Sequence, residues 1–347
     1  MKKVYANFLF MTSDSSSRPL TIRDVARHAG VSISTVSRVM NGKKVKAELE
    51  ATVQQALTDL SFRPSAVARS MIHGHTRTVG VLVEDISSTY YAELIRGIEL
   101  VLERTGYQPL FKSSHWNVYR EEEALKVFLD HNVDAIIVVA GFIPEARLRD
   151  VASRLPLVVV GRKGLSAEST LNLDQHGGAY QATTHLIGLG HRDIVHICGR
   201  LTHADAADRL QGFRDAMRDH GLEAPPELIL HGDFLEASSY RAMLGFLELG
   251  LPFTAVFAGN DQMAFGANLA LHRKGLRVPD DVSLVGYDDL PLAAFIVPPL
   301  TTIHQPAQQI GEAAAQAAYD LINGKVPAAY VPKLRLILRE STRALRR

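Results

Sequence analysis

Two sets of residues in this 347-residue chain have types and positions suited to recognition. The first is Ser32, Ser34, Thr35, Ser37 and Arg38, small hydroxyls plus one long cation. At helical spacing they share the outer face of one short helix, where hydroxyls can hold phosphates and a guanidinium can pair with a base edge. The second set is Tyr90, Tyr91, Arg162, Asp205, Arg209, Phe234, Asn260 and Asp288, each placed just after an apolar run. Two arginines and a carboxylate can bracket vicinal hydroxyls with paired donors and acceptors. Tyr90 and Phe234 offer flat faces to the C–H side of a pyranose or to a purine. Taken singly, any of these could be a surface ion pair or a strand-end aromatic.

Catalytic readings do not fit. The chain has no G-x-S-x-G elbow, no P-loop and no G-x-G-x-x-G after a strand. Its 14 histidines are scattered; the densest group, His185, His191 and His196, lacks ligand spacing with cysteines or acids and reads as structural or solvated. Gly177-Gly178 reads as a helix start, not a phosphate cradle. The single cysteine, Cys198, follows apolar Ile194–Ile197 and reads as a buried, inert thiol. No cofactor or metal is expected, and the protein is not expected to be an enzyme. No apolar run approaches the roughly 18–20 residues that span a bilayer. Residues 1–10 lack a small-residue cleavage site; residues 1–19 read as a disordered leader, or translation starts at Met11. The expected location is cytoplasmic.

The net charge of +1 conceals a division. Residues 18–77 hold ten Lys and Arg against four acids, a net of +6; residues 78–347 carry −6 and the first 17 residues +1. A basic head on an acidic body suits a nucleic-acid module joined to a sensor.

The elements that position the first set follow from local signals. Thr21 caps a helix, Asp24 sits three residues on near its positive end, and Leu20 with Val25 is spaced as a hydrophobic staple. Ile22, Val25, Ala26 and Ala29 form its buried face, and Gly30 ends it. Ser32 caps the next helix, whose Val36, Val39 and Met40 face inward until Asn41-Gly42 stops it. Two helices joined this tightly predict a helix-turn-helix with its second helix in a major groove. A third helix is expected over 47–60, packing through Val53, Ala56, Leu57 and Leu60. Phe62-Arg63-Pro64 breaks it, and Ser65 to Met71 reads as one more short helix, marginal alone because so few residues cannot repay nucleation.

The second set needs a different scaffold. Apolar runs at 79–83, 135–140, 156–160, 194–198, 255–258 and 282–285 alternate with helical patterns such as 92–104, 179–189 and 206–219. Short apolar strands with intervening helices predict buried parallel sheets covered on both faces. About 270 residues exceed one comfortable core, so two lobes are expected. Ligands of such sheets bind beyond the carboxyl ends of the strands, where the second set lies.

The run TIRDVARHAGVSISTVSRVMNG (21–42) and FRPSAVARSM (62–71) resemble the lactose/galactose/purine repressor (LacI/GalR) family. The resemblance continues through Gly80–Val83, Arg209–Phe213, Asn260–Ala264, Gly286–Asp289 and Pro299–Ile303, and covers nearly the whole chain beyond residue 19. It implies a small all-α helix-turn-helix head and an α/β body, a two-lobed periplasmic-binding-protein-like fold with parallel sheets and three crossovers. The implied boundaries are 20–62 for the DNA-binding domain, 63–77 for hinge helix and linker, and 78–347 for effector binding and dimerisation. Lobe one is expected over about 78–174 and 306–327, lobe two over about 175–305 and 328–340.

The resemblance also assigns roles. Ile33, Ser34 and Arg38 fall at base-reading positions; Thr21, Ser32, Thr35, Ser37 and Asn41 at DNA-facing ones. Ser65, Ala68, Arg69 and Met71 fall in a hinge helix that folds on operator DNA and wedges the minor groove. Three positions depart from the family pattern: Met71 stands for leucine, Ser65 for asparagine, and Lys46 for a Ser or Thr cap. The second set matches effector-contacting positions. A sugar or sugar derivative is the first expected effector, because 181–187 and 205–212 look like the galactose-type members; a purine is second, because Pro64 to Ser70 resembles the purine repressor. The expected partners are palindromic operator DNA, a small-molecule effector and a second copy of the chain. No membrane partner and no tetramer-forming heptad helix are expected.

Overall fold

The computed structural model describes residues 20–40, 43–62, 75–162, 170–328 and 332–345. The leader, Asn41, and the hinge residues Ser65, Ala68, Arg69 and Met71 lie outside the described residues. The chain divides into two compact units at Gly74 and His75.

Among its described residues the first unit holds three helices, α1 (Ile22–His28), α2 (Ile33–Met40) and α3 (Ala47–Asp59). The Asp24 carboxylate accepts from both the backbone N–H (2.9 Å) and the hydroxyl (2.7 Å) of Thr21, which fixes the start of α1. Gly30 takes φ +63° between α1 and α2, and the Val31 N–H reaches back to the Ala26 carbonyl at 3.0 Å. Val25, Ala26, Val36, Val39, Val53 and Ala56 close one small core, with Leu57, Leu60 and Phe62 against it. His28 and Asp59 meet at 3.2 Å, tying the end of α1 to the end of α3. Because an L-residue pays on the order of 1 kcal/mol for the left-handed region, Gly30→Ala should loosen this turn by that amount. Native-state hydrogen exchange at the Val31 amide should then quicken about five-fold; an unchanged rate would show that the turn carries no such constraint.

The second unit is built on two sheets. The first has the order β2-β1-β3-β4-β5, all parallel, with β1 (Thr78–Val83), β2 (Gln108–Ser113), β3 (Ala135–Val139), β4 (Leu157–Val160) and β5 (Thr170–Leu171). The second has the order β11-β10-β9-β8-β6-β7, with β6 (Ile194–Cys198), β7 (Ile229–His231), β8 (Ala255–Ala258), β9 (Ser283–Asp288), β10 (Thr301–His304) and β11 (Arg335–Ile337). Among the described strands β11 alone runs antiparallel, at the edge of sheets that are otherwise parallel as expected. The central strands β1, β3, β4, β6, β8 and β9 are buried almost throughout, as sheets covered on both faces require.

Among the described residues seven further α-helices alternate with these strands up to β10: α4 (Thr89–Thr105), α5 (Val118–Asp130), α6 (Glu145–Ala152), α7 (Gln175–Gly188), α8 (Ala204–Asp219), α9 (Glu236–Glu248) and α10 (Asp261–Arg273). After β10 the chain crosses back: α11 (Ala307–Ile322) packs its alanine-rich face on α4 and under the first sheet, before β11 returns to the second. Glycines make that helix pair possible. A Cβ on Gly97 would overlap the Gln308 carbonyl oxygen, and one on Gly311 the Leu94 carbonyl oxygen. The chain enters the body pinned, with the Thr76 and Arg77 N–H groups on the Asp134 carboxylate at 3.0 and 2.7 Å. No described helix is long and apolar enough to cross a membrane.

Candidate functional site

In the first unit α2 buries Val36 and Val39 and turns Ile33, Ser34 and Arg38 outward, with Ile33 45% exposed. Ser32 is already engaged. Its hydroxyl accepts from the Thr35 N–H (3.1 Å) and lies 2.7 and 2.9 Å from the hydroxyls of Ser34 and Thr35, so it caps α2 and orders its neighbours. The Thr21 hydroxyl instead donates to the Asp24 carboxylate at the start of α1. Lys46 begins α3 without a side-chain cap.

In the second unit the carboxyl ends of both sheets converge on one cleft, the place where open α/β sheets bind ligands. Seven of the eight expected effector residues line it: Tyr90, Tyr91, Asp205, Arg209, Phe234, Asn260 and Asp288. Arg162 stands behind the lining, its Nη2 donating to the Ile143 carbonyl at 2.7 Å.

The centre of the site is a closed polar circuit. Arg209 Nε donates to Gln175 Oε1 (2.9 Å), Gln175 Nε2 to Gln305 Oε1 (3.0 Å), and Gln305 Nε2 to Asp288 Oδ1 (2.6 Å). The same Asp288 oxygen lies 3.8 Å from Arg209 Nη1. Arg209 also donates to the Gly259 carbonyl, and its guanidinium lies 3.8 Å over the Tyr287 ring. All four circuit residues are buried. Burial is the strongest influence on Asp288 and pushes its carboxyl up to about 6; Arg209 and Gln305 oppose the rise and Asp205 adds to it. At Arg209 burial also opposes charge most, yet Tyr287, Asp288, Asp205 and Tyr90 together hold the guanidinium above its ordinary range. The outcome differs because Arg209 faces several negative or electron-rich groups, whereas Asp288 has one cation and a neighbouring acid.

Aromatic rings form the walls. Trp116 stacks on Phe234 at 5.7 Å and meets His203 edge-on at 4.4 Å. Tyr90 and Tyr91 meet edge to face at 5.4 Å; Tyr91 also belongs to the core of the first lobe. Asn260 is less available than its type suggests. Its Oδ1 caps α10 by accepting from the Met263 N–H (2.9 Å), and its Nδ2 holds the Phe234 carbonyl (3.0 Å). It positions the Phe234 loop, where φ is +73°.

Trp116, His203, Gln175 and Gln305 were not singled out from the sequence. The signal for Trp116 was present: it is the only tryptophan, in the polar run Ser113-Ser114-His115-Trp116-Asn117. The histidines of the densest group serve the fold. His185 meets Thr342, His191 lies between Thr254 and Ser283, and His196 stacks between Phe213 and Phe257. Cys198 is buried, and burial pushes its thiol up to about 11.

This head and this cleft define a ligand-binding regulator of transcription. The profile of bacterial regulatory proteins of the lacI family matches residues 21–65, and that of the periplasmic binding protein-like domain matches residues 183–342. The transcriptional repressor PurR of Pasteurella multocida (strain Pm70) is 38% identical over 331 residues, 93% of this chain and 99% of that protein. The transcriptional regulator GalR of Escherichia coli (strain K12) is 36% identical over 88% of this chain and 90% of its own. Among solved structures, the lac repressor dimer bound to operator and the anti-inducer ONPF superposes with TM-score 0.85 at 26% identity, covering 94% of this chain and 100% of that one. The CelR–cellobiose complex gives TM-score 0.70 at 32% identity, covering 93% and 99%. The chain belongs to the lacI family of DNA-binding transcriptional repressors, a family of regulators and not of enzymes.

Proposed function

We propose that this repressor controls a carbohydrate-metabolism operon and is released from a palindromic operator by a sugar or sugar derivative bound in the cleft. The observation that carries the reading is the Arg209–Gln175–Gln305–Asp288 circuit set among Tyr90, Trp116 and Phe234. Fixed donors and acceptors beside flat apolar faces match a pyranose, which presents hydroxyls at its rim and C–H groups on its faces. Similar structures carrying cellobiose and ribose support it. A purine is the second reading, favoured by the PurR relatives and by the parallel faces of Trp116 and Phe234.

The chain works as a homodimer in the cytoplasm, each head reading one half-site so that the operator mirrors the two-fold axis. Effector binding shifts the lobes and with them the stability of residues 63–71; operator and effector change each other's affinity by the same factor. Gel-shift titration on DNA upstream of the neighbouring operon, with monosaccharides, sugar phosphates and purines added in turn, tests this. Protection of no palindrome under any condition would refute it.

In the head, Arg38→Ala should weaken the preferred operator by about 1–3 kcal/mol and relax selection at one base pair, leaving the salt slope nearly unchanged. A uniform loss across sequences with a shallower salt slope would make Arg38 a phosphate contact.

A further inference from the structure

Rings from the two lobes meet across one side of the cleft. Trp116 follows β2 and Phe142 follows β3, both on the first sheet; His203 follows β6 and Phe234 follows β7, both on the second. His203 is buried and meets both rings of the other lobe edge-on, at 4.4 Å from Trp116 and 4.8 Å from Phe142. Trp116 also stacks on Phe234 at 5.7 Å and 19°, and the Arg200 guanidinium lies 5.6 Å over the indole. Each of these contacts crosses from one lobe to the other. The backbone is strained to make them: His115, Trp116 and Phe234 have φ of +50°, +62° and +73°, a region unfavourable to L-residues. Each loop is held from its own lobe. Glu84 accepts from the Trp116 N–H through Oε2 (3.2 Å) and from the His115 N–H through its carbonyl (2.7 Å). Asn260 holds the Phe234 carbonyl, and the Phe234 ring lies where a Cβ on Gly199 would come within 2.2 Å of it. Burial, with Arg200, Arg162 and Arg209 adding, pushes the His203 ring down to about 4, so it meets the other rings uncharged. Strain held on both sides of a gap needs a reason, and aromatic pairs at these separations attract beyond the area they bury.

We propose that Trp116, Phe142, His203 and Phe234 form an interlock that holds the lobes shut around the effector, with Trp116 and Phe142 as positioning residues for effector binding. The positioning role rests on the reading of the cleft as the effector site; the interlock itself does not. A ligand that needs the shut form binds with an affinity scaled by the fraction of protein that is shut. Loosening the interlock therefore weakens every effector by one factor, whatever its chemistry, whereas loss of a ligand contact weakens different ligands unequally. Phe142 separates the two cases. It lies outside the lining of the cleft and reaches the site through His203. Its backbone N–H, held by the Glu121 carboxylate, is untouched when the ring is removed.

Trp116 is the only tryptophan of the chain, so acrylamide quenching of its fluorescence reads the interlock without any ligand. In the ligand-free full chain, Phe142→Ala should be quenched about three-fold more steeply than wild type, and Phe142→Tyr, which keeps the ring, like wild type. Melting temperature confirms the fold, and Phe142→Leu replaces Phe142→Ala if the latter does not fold. Calorimetric titration with D-galactose, D-ribose, cellobiose and hypoxanthine follows. Each probe that binds wild type should bind Phe142→Ala about five-fold more weakly, by one common factor, and at saturation should return the quenching to the wild-type level. Equal quenching of ligand-free wild type and folded Phe142→Ala overturns the interlock. Unchanged affinities, or losses that differ several-fold between probes, overturn the positioning role. If no probe binds while Phe142→Ala still frees Trp116, the interlock stands and the effector reading of the cleft falls.

Discussion

Asp288→Ala leaves operator binding close to wild type and lowers affinity for the releasing sugar by about 10²–10³-fold, so that the repressor no longer responds. The magnitude follows from where Asp288 sits. It is 6% exposed, accepts from Gln305 at 2.6 Å and faces Arg209 at 3.8 Å. Its loss removes an acceptor for the sugar and leaves a buried guanidinium and amide short of a partner; each unpaired buried group costs about 1–3 kcal/mol, more where charge is involved. Asp288→Asn separates the two effects, since it keeps an oxygen for Gln305 and removes only the charge. Wild type carries the same signature in its pH dependence. Because burial holds this carboxyl near 6, sugar affinity should hold above that value and fall as pH drops through it. Gel shifts with and without the sugar, at pH 7.5 and 5.5, provide the measurement. Loss of operator binding together with response would make Asp288 a folding residue instead.

How far this site was legible in the sequence depends on how local its causes are. The head was readable nearly to the residue, because capping by Thr21 and Ser32, the left-handed Gly30 and the 3.6-residue period of Val25, Val36 and Val53 are all local signals. The central strands were readable from their buried apolar runs. Edge strands were not: β2 reads Gln-Pro-Leu-Phe-Lys-Ser and is half-exposed, and β11 is a three-residue antiparallel strand. Missing β2 hid the loop that presents Trp116, and so one wall of the cleft. Of the central circuit, Asp288 stood out as a charged residue at a strand end and Arg209 as one in the helix that follows β6, while Gln175 and Gln305 did not. Their hydrogen bond joins positions 130 residues apart, brought together by the crossings between lobes, and no window of sequence contains it. Asn260 shows the converse: it lines the cleft as its type and place suggest, but its side chain also caps a helix and holds the Phe234 carbonyl, which no local signal foretells.

The circuit also supports the fold, and Arg209→Met exposes that role. Removing one partner of a buried ion pair generally costs about 3–5 kcal/mol, chiefly because the other charge is left uncompensated. Here the stranded charge is Asp288, already pushed up to about 6 with Arg209 in place as its main opposing influence. Without Arg209 the carboxyl rises further, so the native state holds its proton more tightly than the unfolded chain does. A raised acid pKa makes stability fall as pH rises between the unfolded and folded values, and the penalty is complete only above the folded one. The variant should therefore lose most stability at pH 8 and recover part of it by pH 5, where Asp288 folds protonated. Recovery will be incomplete, because Met replaces neither the hydrogen bonds to Gln175 and the Gly259 carbonyl nor the guanidinium over Tyr287. Denaturant melts of wild type, Arg209→Met and Arg209→Met/Asp288→Asn at both pH values decide it. The double variant should be more stable than the single one at pH 8, and the difference should shrink by pH 5. If the two variants are equally unstable at pH 8, the stranded carboxylate is not the cause, and Arg209 acts on the fold through its packing alone.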